Sequence, residues 1–266
     1  MKNLFIYFIF SFVLFACNQN DSTTNATEDV EIEKSRSDFN QDSFFFSLMN
    51  SIQSDTSLYT ASSLDYSKNN SETYQVDALV DENNNICMLK NTITDSTREI
   101  IEEFYYLNAK KRISSRLVSS YENEIFISNQ FISFYNDSGE VAYTGFRSHY
   151  NMDSLTNLVF SKYEVKLDHN DQLAQNIIQQ KGSFETNFRG FFYLEMYDMN
   201  YLIVGSDDGS ISSSLAISEE SPLLKMLKSN EEKYKGTPLR VEFTKVNQNN
   251  GFSFQSLLNL SINPVK

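Results

Sequence analysis

From about Thr73 the chain becomes a succession of short aromatic and β-branched runs separated by Asn-, Asp- and Gly-rich turns, and this punctuation constrains the fold more than any other feature. Tyr74, Val76, Ala78 and Val80 alternate with Gln75, Asp77 and Leu79, the period of two of a half-buried strand. Asp81-Glu82-Asn83-Asn84-Asn85 reads as a turn, and Ile86 to Thr94 as the returning strand. Two more units follow. Arg98 to Leu107 turns at Asn108-Ala109-Lys110 into Arg112 to Tyr121, and Ile125 to Tyr135 turns at Asn136-Asp137-Ser138-Gly139 into Val141 to Tyr150. The turns near residues 83, 109 and 138 recur at similar intervals, as in a weak internal repeat. An antiparallel β-meander with an aromatic face is expected. Glu102-Glu103 would also suit a helix, but Phe104-Tyr105-Tyr106 favours the strand.

Phe134-Tyr135-Asn136-Asp137-Ser138-Gly139-Glu140-Val141-Ala142-Tyr143-Thr144-Gly145 resembles one unit of the aromatic, Gly-turn hairpin repeats related to MORN motifs. Ahead of the meander, Phe45, Leu48-Met49 and Ile52 have helical spacing between Asp42 and Ser54. Behind it, Leu155 to Leu167 is a further strand candidate. Asp168 to Lys181 then reads as a helix, capped by Asp168 or Asn170, with Gly182 past its end.

The remainder has a distinct order of elements. Glu185 to Tyr197 reads as one long strand with a bend or bulge at Gly190, and Asp198-Met199-Asn200 turns into Tyr201 to Val204. Asp207-Asp208-Gly209 turns into Ile211 to Ile217. Ser221-Pro222 opens a helix as N-cap and first helical residue, with Leu223, Leu224 and Leu227 as its apolar face. Leu239 to Val246 and Phe252 to Ile262 flank the hairpin signal Asn249-Asn250-Gly251. Three meander strands, a helix and a hairpin are the element order of an OB-fold. Glu231 to Val241 resembles the approach to the fourth strand in OB-like domains of bacterial envelope proteins; the alternative is a generic α+β sheet with the same order. The expected fold class is mainly β (α+β): a meander domain with flanking helices over 41–182, then a small OB-like five-stranded barrel with one helix over 183–266.

The first residues concern location rather than fold. Lys2 leads into Leu4-Phe5-Ile6-Tyr7-Phe8-Ile9-Phe10, then Ser11 and Phe12-Val13-Leu14, ending at Phe15-Ala16-Cys17 before the polar Asn18-Gln19-Asn20-Asp21. A cationic start, an apolar run of about a dozen residues and a small residue are the parts of an export signal, too short for a span of roughly 20. Leu14-Phe15-Ala16-Cys17 resembles the lipobox of bacterial lipoproteins, although that pattern prefers a smaller residue than Phe15. The resemblance implies a signal peptide over 1–16, cleavage before Cys17, lipidation of the Cys17 thiol with diacylglycerol, and attachment to a lipid bilayer. By resemblance to envelope sorting in Gram-negative bacteria, Asn18 rather than Asp after the Cys permits delivery to an outer membrane. The alternative is an ordinary secretory signal with an incidental Cys. Residues 17–40, polar and acidic with few apolar side chains, are expected to form a disordered tether with a reach on the order of 25 Å.

Composition narrows the function classes. A net charge of −13 opposes phosphate backbones, so no nucleic acid is expected as a partner. Residues 183–266 carry 8 Lys and Arg against 10 Asp and Glu, which is not the basic groove that single strands require. With 22 Phe, 15 Tyr and no Trp, the composition resembles that of Bacteroidota proteins. The chain has two cysteines, and Cys87, in the apolar Ile86-Cys87-Met88-Leu89, reads as a buried inert thiol without a disulfide partner.

Motifs for chemistry are sparse. His149 and His169 have no metal-ligand spacing around them, and His169 reads as a solvated or capping residue. No Gly-x-Ser-x-Gly elbow or phosphate-cradling loop is present, and no metal or cofactor is expected. Asp81 to Asn85 begins like a calcium loop but has Ile86 where Gly is needed and Thr92 where the closing Glu belongs. Asp21-Ser22-Thr23, Asp95-Ser96-Thr97 and Asp153-Ser154-Leu155 resemble O-glycosylation acceptors of Bacteroidota. An OB-like barrel binds ligands on the face of its second and third strands, here Tyr201, Ile203, Ser210, Ser212 and Ser214. The expected role is therefore non-enzymatic: a membrane-anchored envelope lipoprotein that binds or supports an envelope protein, a peptide or a glycan. The alternative is an envelope glycan hydrolase using paired carboxylates, with Glu102-Glu103 and Glu195 as candidates.

Overall fold

A computed structural model describes residues 43–69, 71–122, 125–247 and 253–263. The expected signal peptide, Cys17 and the expected tether over 17–40 lie outside these residues, as does the expected turn at Asn249-Asn250-Gly251. The fold is mainly β: fourteen strands join in one mixed sheet. In chain order the elements are α1 (Ser43–Ser54), β1 (Tyr59–Ser62), β2 (Tyr66–Lys68), β3 (Glu72–Val80), β4 (Ile86–Asp95), β5 (Arg98–Leu107), β6 (Lys110–Glu122), β7 (Ile125–Tyr135), β8 (Val141–His149), α2 (Met152–Thr156), β9 (Ser161–Tyr163) and α3 (Gln172–Ile178). After a 3-10 turn (Gly182–Phe184) come β10 (Asn187–Leu194), a second 3-10 turn (Glu195–Tyr197), β11 (Met199–Gly205), β12 (Ile211–Ile217), α4 (Pro222–Ser229), α5 (Glu231–Tyr234), β13 (Leu239–Asn247) and β14 (Ser253–Ile262).

Strands β2 to β9 pair antiparallel in sequence order, with hairpins at the three expected turns. Turn chemistry explains each reversal. Asp81 Oδ1 accepts from the backbone of Asn83 and Asn85 at 2.9 and 2.8 Å, and Asn84 takes φ 62°. A bond from the Asn85 side chain, and then those backbone bonds, hold the Asp81 carboxyl below its usual range, the behaviour of a turn aspartate. Asn108 and Ala109 both take positive φ, and Gly139 does so at 85°.

The period of two separates the meander's side chains onto two covered faces. Tyr105, Ile113, Ile132 and Phe134 pack against Phe45 and Ile52 of α1. Phe104 and Tyr106, one residue either side of Tyr105, join Val76, Leu89 and Ile100 on the opposite face. There they meet Ala174 and Ile177 of α3 and a set from the last third of the chain: Phe188, Leu202, Leu215, Leu224 and Leu239. This cluster and the pairing of β2 with β12 both cross residue 182.

In that last third, β10, β11 and β12 form an antiparallel meander, with the bulge at Gly190 (φ 142°) where the strand was expected to bend. One end of β12 pairs with β2 at Ile211 and Ser212. The other end pairs parallel with β14 at Ala216 and Ser256. β14 pairs antiparallel with β13, and an isolated bridge joins Pro238 to Asn187. Ser221 caps α4 by accepting from the Leu224 backbone, with Pro222 first in the helix.

Several sequence expectations need correction. Leu155 to Leu167 is not a strand. Asn151 caps the short α2 by accepting from Asp153 and Ser154, Leu155 is buried, and only Ser161–Tyr163 pairs with β8. The helix expected from Asp168 to Lys181 contracts to Gln172–Ile178, because Gln180 adopts φ 53° and the preceding residues lie across the meander. The strand expected to Tyr197 ends at Leu194, where Glu195–Tyr197 forms a 3-10 turn. The short β1 and β2 had no periodicity to announce them.

Candidate functional site

Alternation along β11 turns Leu202 and Val204 into the core and leaves Tyr201 and Ile203 on the outer surface. Register aligns Phe192 of β10 with Tyr201, and Tyr201 with Ala216 of β12; the next row places Ser214 beside Ile203. A cavity of about 360 Å³ lies here, lined by Phe192, Leu194, Tyr201 and Ser214 with Ser253, Phe254 and Gln255 of β14 and Asp65. The Phe192 ring is 53% exposed, while Tyr201 is 6% exposed and forms the floor. Burial pushes the Tyr201 phenol upward, so it stays a neutral hydroxyl at any ordinary pH.

Gln255 braces the cavity. Its side chain is buried; Nε2 donates to Ser213 Oγ at 3.0 Å and to the Ser214 carbonyl at 3.2 Å, and Oε1 accepts from the Asp65 backbone at 2.8 Å. At the rim Lys245 Nζ lies 2.8 Å from Asp65 Oδ1. The site thus offers an apolar ring, hydroxyls and one charge pair, the mixture found in ligand pockets.

Of the residues singled out from sequence, Tyr201 and Ser214 meet in this cavity. Ile203 and Ser212 share the outer face but lie outside the lining, Ser212 at the row where β12 pairs with Ser67 of β2. Ser210 is engaged in its own turn, donating backbone and hydroxyl hydrogens to Asp208 Oδ1 at 2.9 and 2.8 Å. From sequence Phe191, Phe192, Tyr193 and Tyr197 read as core, and the structure corrects this: Phe192, Tyr193 and Tyr197 are 53%, 48% and 40% exposed, and of the four Phe191 packs against the core. Phe254 and Gln255 were not legible as lining residues, because a parallel contact between β12 and β14 leaves no local trace in sequence.

The carboxylates proposed as a pair do not come together. Glu102 and Glu103 are neighbours on β5 and point to opposite faces. Glu102 is buried beside Asn91 Nδ2 at 3.0 Å, with Arg116 at 3.6 Å, whereas Glu103 Oε2 accepts from Tyr105. Glu195 is exposed in its 3-10 turn. Cys87 is half-buried, and burial raises its thiol pKa, which keeps it protonated and unreactive.

His169 is not solvated, contrary to the sequence expectation. It is 8% exposed, and its Nδ1 sits 3.1 Å from Ser114 Oγ, itself fully buried. Tyr135 joins them: its hydroxyl is 3.1 Å from Ser114 Oγ, accepts from the His169 backbone at 3.2 Å and donates to Asp168 Oδ1 at 3.0 Å. Lys111 reaches over the Tyr135 ring to the His169 carbonyl at 2.6 Å. No solvent-facing nucleophile exists here, so the Ser–His contact fastens the 167–171 segment to the sheet.

Among the described residues no three of His, Cys, Asp and Glu gather as a metal-binding group, and no helix is long and apolar enough to cross a membrane. In comparisons with known proteins, no family model, no curated protein and no solved structure matches this chain.

Proposed function

We propose that the chain is a cell-envelope lipoprotein with a non-enzymatic binding role, held to a lipid bilayer, as at an outer membrane, by acylated Cys17. Residues 1–16 are the signal peptide, 17–40 the tether, 41–182 the meander domain and 183–266 an OB-like barrel. Support for the barrel comes from connectivity: β10-β11-β12-β14-β13, with the Pro238–Asn187 bridge returning to the first strand and α4 and α5 between the third and fourth. The binding role rests on the cavity that puts exposed Phe192 above Tyr201 and Ser214 on the outer face. Tyr201, Ile203 and Ser212 belong to that face, and its ligand is an envelope protein, a peptide or a glycan.

Two measurements test this reading. Cys17→Ser moves the protein from the membrane pellet to the soluble fraction and abolishes incorporation of labelled palmitate, because one or no acyl chain does not hold a protein at a bilayer. Retention of the unacylated variant in the pellet rejects the anchor. A benzophenone amino acid in place of Phe192 forms a saturable cross-link in native envelopes, whereas the same probe at exposed Tyr121, on β6, does not. Equal labelling at both positions, or none at either, rejects the binding face.

A further inference from the structure

A second and larger cavity, about 780 Å³, shares no lining residue with the one at Phe192. It lies where the C-terminal end of α3, the start of β10, the β11–β12 turn and the entry to β13 converge. Its volume falls within the roughly 300–1,000 Å³ of ordinary ligand pockets, but its wall is not ordinary. Carboxamides of Gln179, Gln180, Asn187 and Asn263 and carboxylates of Glu185 and Asp207 line it; Pro238 and Leu239 add to the apolar part, and among the described residues no Lys, Arg or His belongs to the lining.

The polar wall is built rather than incidental. Asn187 is 5% exposed, and its Nδ2 donates to Asp207 Oδ1 at 2.8 Å and to Glu185 Oε2 at 3.3 Å, holding both carboxylates at one side of the cavity. Buried Thr186 is tied to the Leu239 carbonyl at 2.6 Å, which fixes β10 against β13. Arg189 donates to the Asp207 backbone carbonyl at 2.6 Å, not to its carboxylate. Among the described residues neither Glu185 nor Asp207 has an ion-pair partner. Gly236 also lines the cleft, at φ 83°, a conformation that favours glycine.

We infer that this cleft is a binding site for a hydroxyl-rich saccharide without negative charge. Carboxylates and carboxamides accept and donate in pairs to adjacent sugar hydroxyls, and the Pro238 and Leu239 wall offers a small apolar contact for ring carbons. An anionic ligand would meet two carboxylates without an ion-pair partner among the described residues, while the Lys181 ammonium is engaged by Gln179 Oε1 at 2.7 Å. The site is separate from the Phe192 face, so either stands without the other.

The test is binding of the full-length, detergent-solubilised protein to an array of neutral, amino-bearing and uronate-bearing oligosaccharides. Neutral or amino-bearing saccharides are expected to bind and uronates not to. Glu185→Gln combined with Asp207→Asn weakens that binding roughly tenfold or more, since hydrogen bonds to a charged group are lost. Both side chains are exposed, so the double variant folds, which an unchanged circular dichroism spectrum confirms. Phe192→Ala leaves the binding intact. The inference is overturned if no saccharide binds beyond the double variant, if uronates bind as well as neutral sugars, or if Phe192→Ala removes the binding instead.

Discussion

Phe134→Ala lowers stability by about 3–5 kcal/mol, the range for emptying a fully buried aromatic site. Phe134 has no exposed surface, and its ring centroid lies 4.7 Å from Phe45, 6.0 Å from Phe46 and 4.6 Å from Tyr143. The substitution therefore does more than leave a hole in the meander. It removes the surface on which α1 rests. A 12-residue helix is marginal in water by itself, and α1 has no acidic residue in its first turn or basic residue in its last to offset that. Its other anchors include Ile52, the partly buried Leu48 and Met49, and the bond from Gln53 Nε2 to Tyr105 Oη at 2.6 Å. Two readouts are expected together: a melting temperature lower by roughly 10 °C or more, and rapid chymotryptic cleavage within residues 43–54. Ile132→Val, on the same face, costs about 0.5–1.5 kcal/mol and leaves α1 protected. A loss below about 1 kcal/mol in Phe134→Ala, with α1 still resistant, would refute the account of α1 as a helix held by this ring.

What the sequence made legible and what it hid divide along physical lines. The hairpins of β3 to β8 were readable because each carries both signals at once: period-two alternation and a turn that needs positive φ at Asn84, at Asn108 and Ala109, or at Gly139. The Gly190 bulge and the Ser221-Pro222 cap are likewise local chemistry. The stretch from 155 to 171 misled because its apolar residues do not serve one regular element. Leu155 faces inward from a one-turn helix, while Val159 and Val165 are exposed. Burial of His169 was invisible for a related reason: it follows from Ser114 and Tyr135, distant in sequence, closing over the segment. For the candidate site, Tyr201 and Ser214 followed from strand order. The β14 side of the cavity depends on a single parallel pairing at Ala216, and the larger cleft on five chain segments that meet around it.

Acid acts on this fold through His169. Burial, and then the nearby Arg116 and Lys111 cations, lower its pKa from the ordinary 6.5 to about 4, against a smaller opposing pull from Asp168. The folded protein thus prefers the neutral ring, and the unfolded chain binds the proton more readily. A depressed pKa contributes stability that is fully present above the unfolded value and is lost as pH falls from about 6.5 towards 4. Each tenfold drop in proton affinity is worth about 1.4 kcal/mol, so the loss over that window comes to about 3 kcal/mol. Asp208, lowered to about 2 by bonds from Ser206 and Ser210, loses its share as pH falls from the ordinary 3.8 towards 2, mostly below this window. Proton uptake at His169 also has a specific structural consequence. A charged ring between Arg116 and Lys111 repels both, and the polar contacts that hold 167–171 against β6 and β7 weaken. Urea unfolding at pH 7, 5.5 and 4.5 tests this directly. Wild type is expected to lose stability steeply across the series, while His169→Gln, which keeps a polar group near Ser114 but cannot take up a proton, gives a flatter profile. If the two profiles fall in parallel, His169 is not the group through which acid acts.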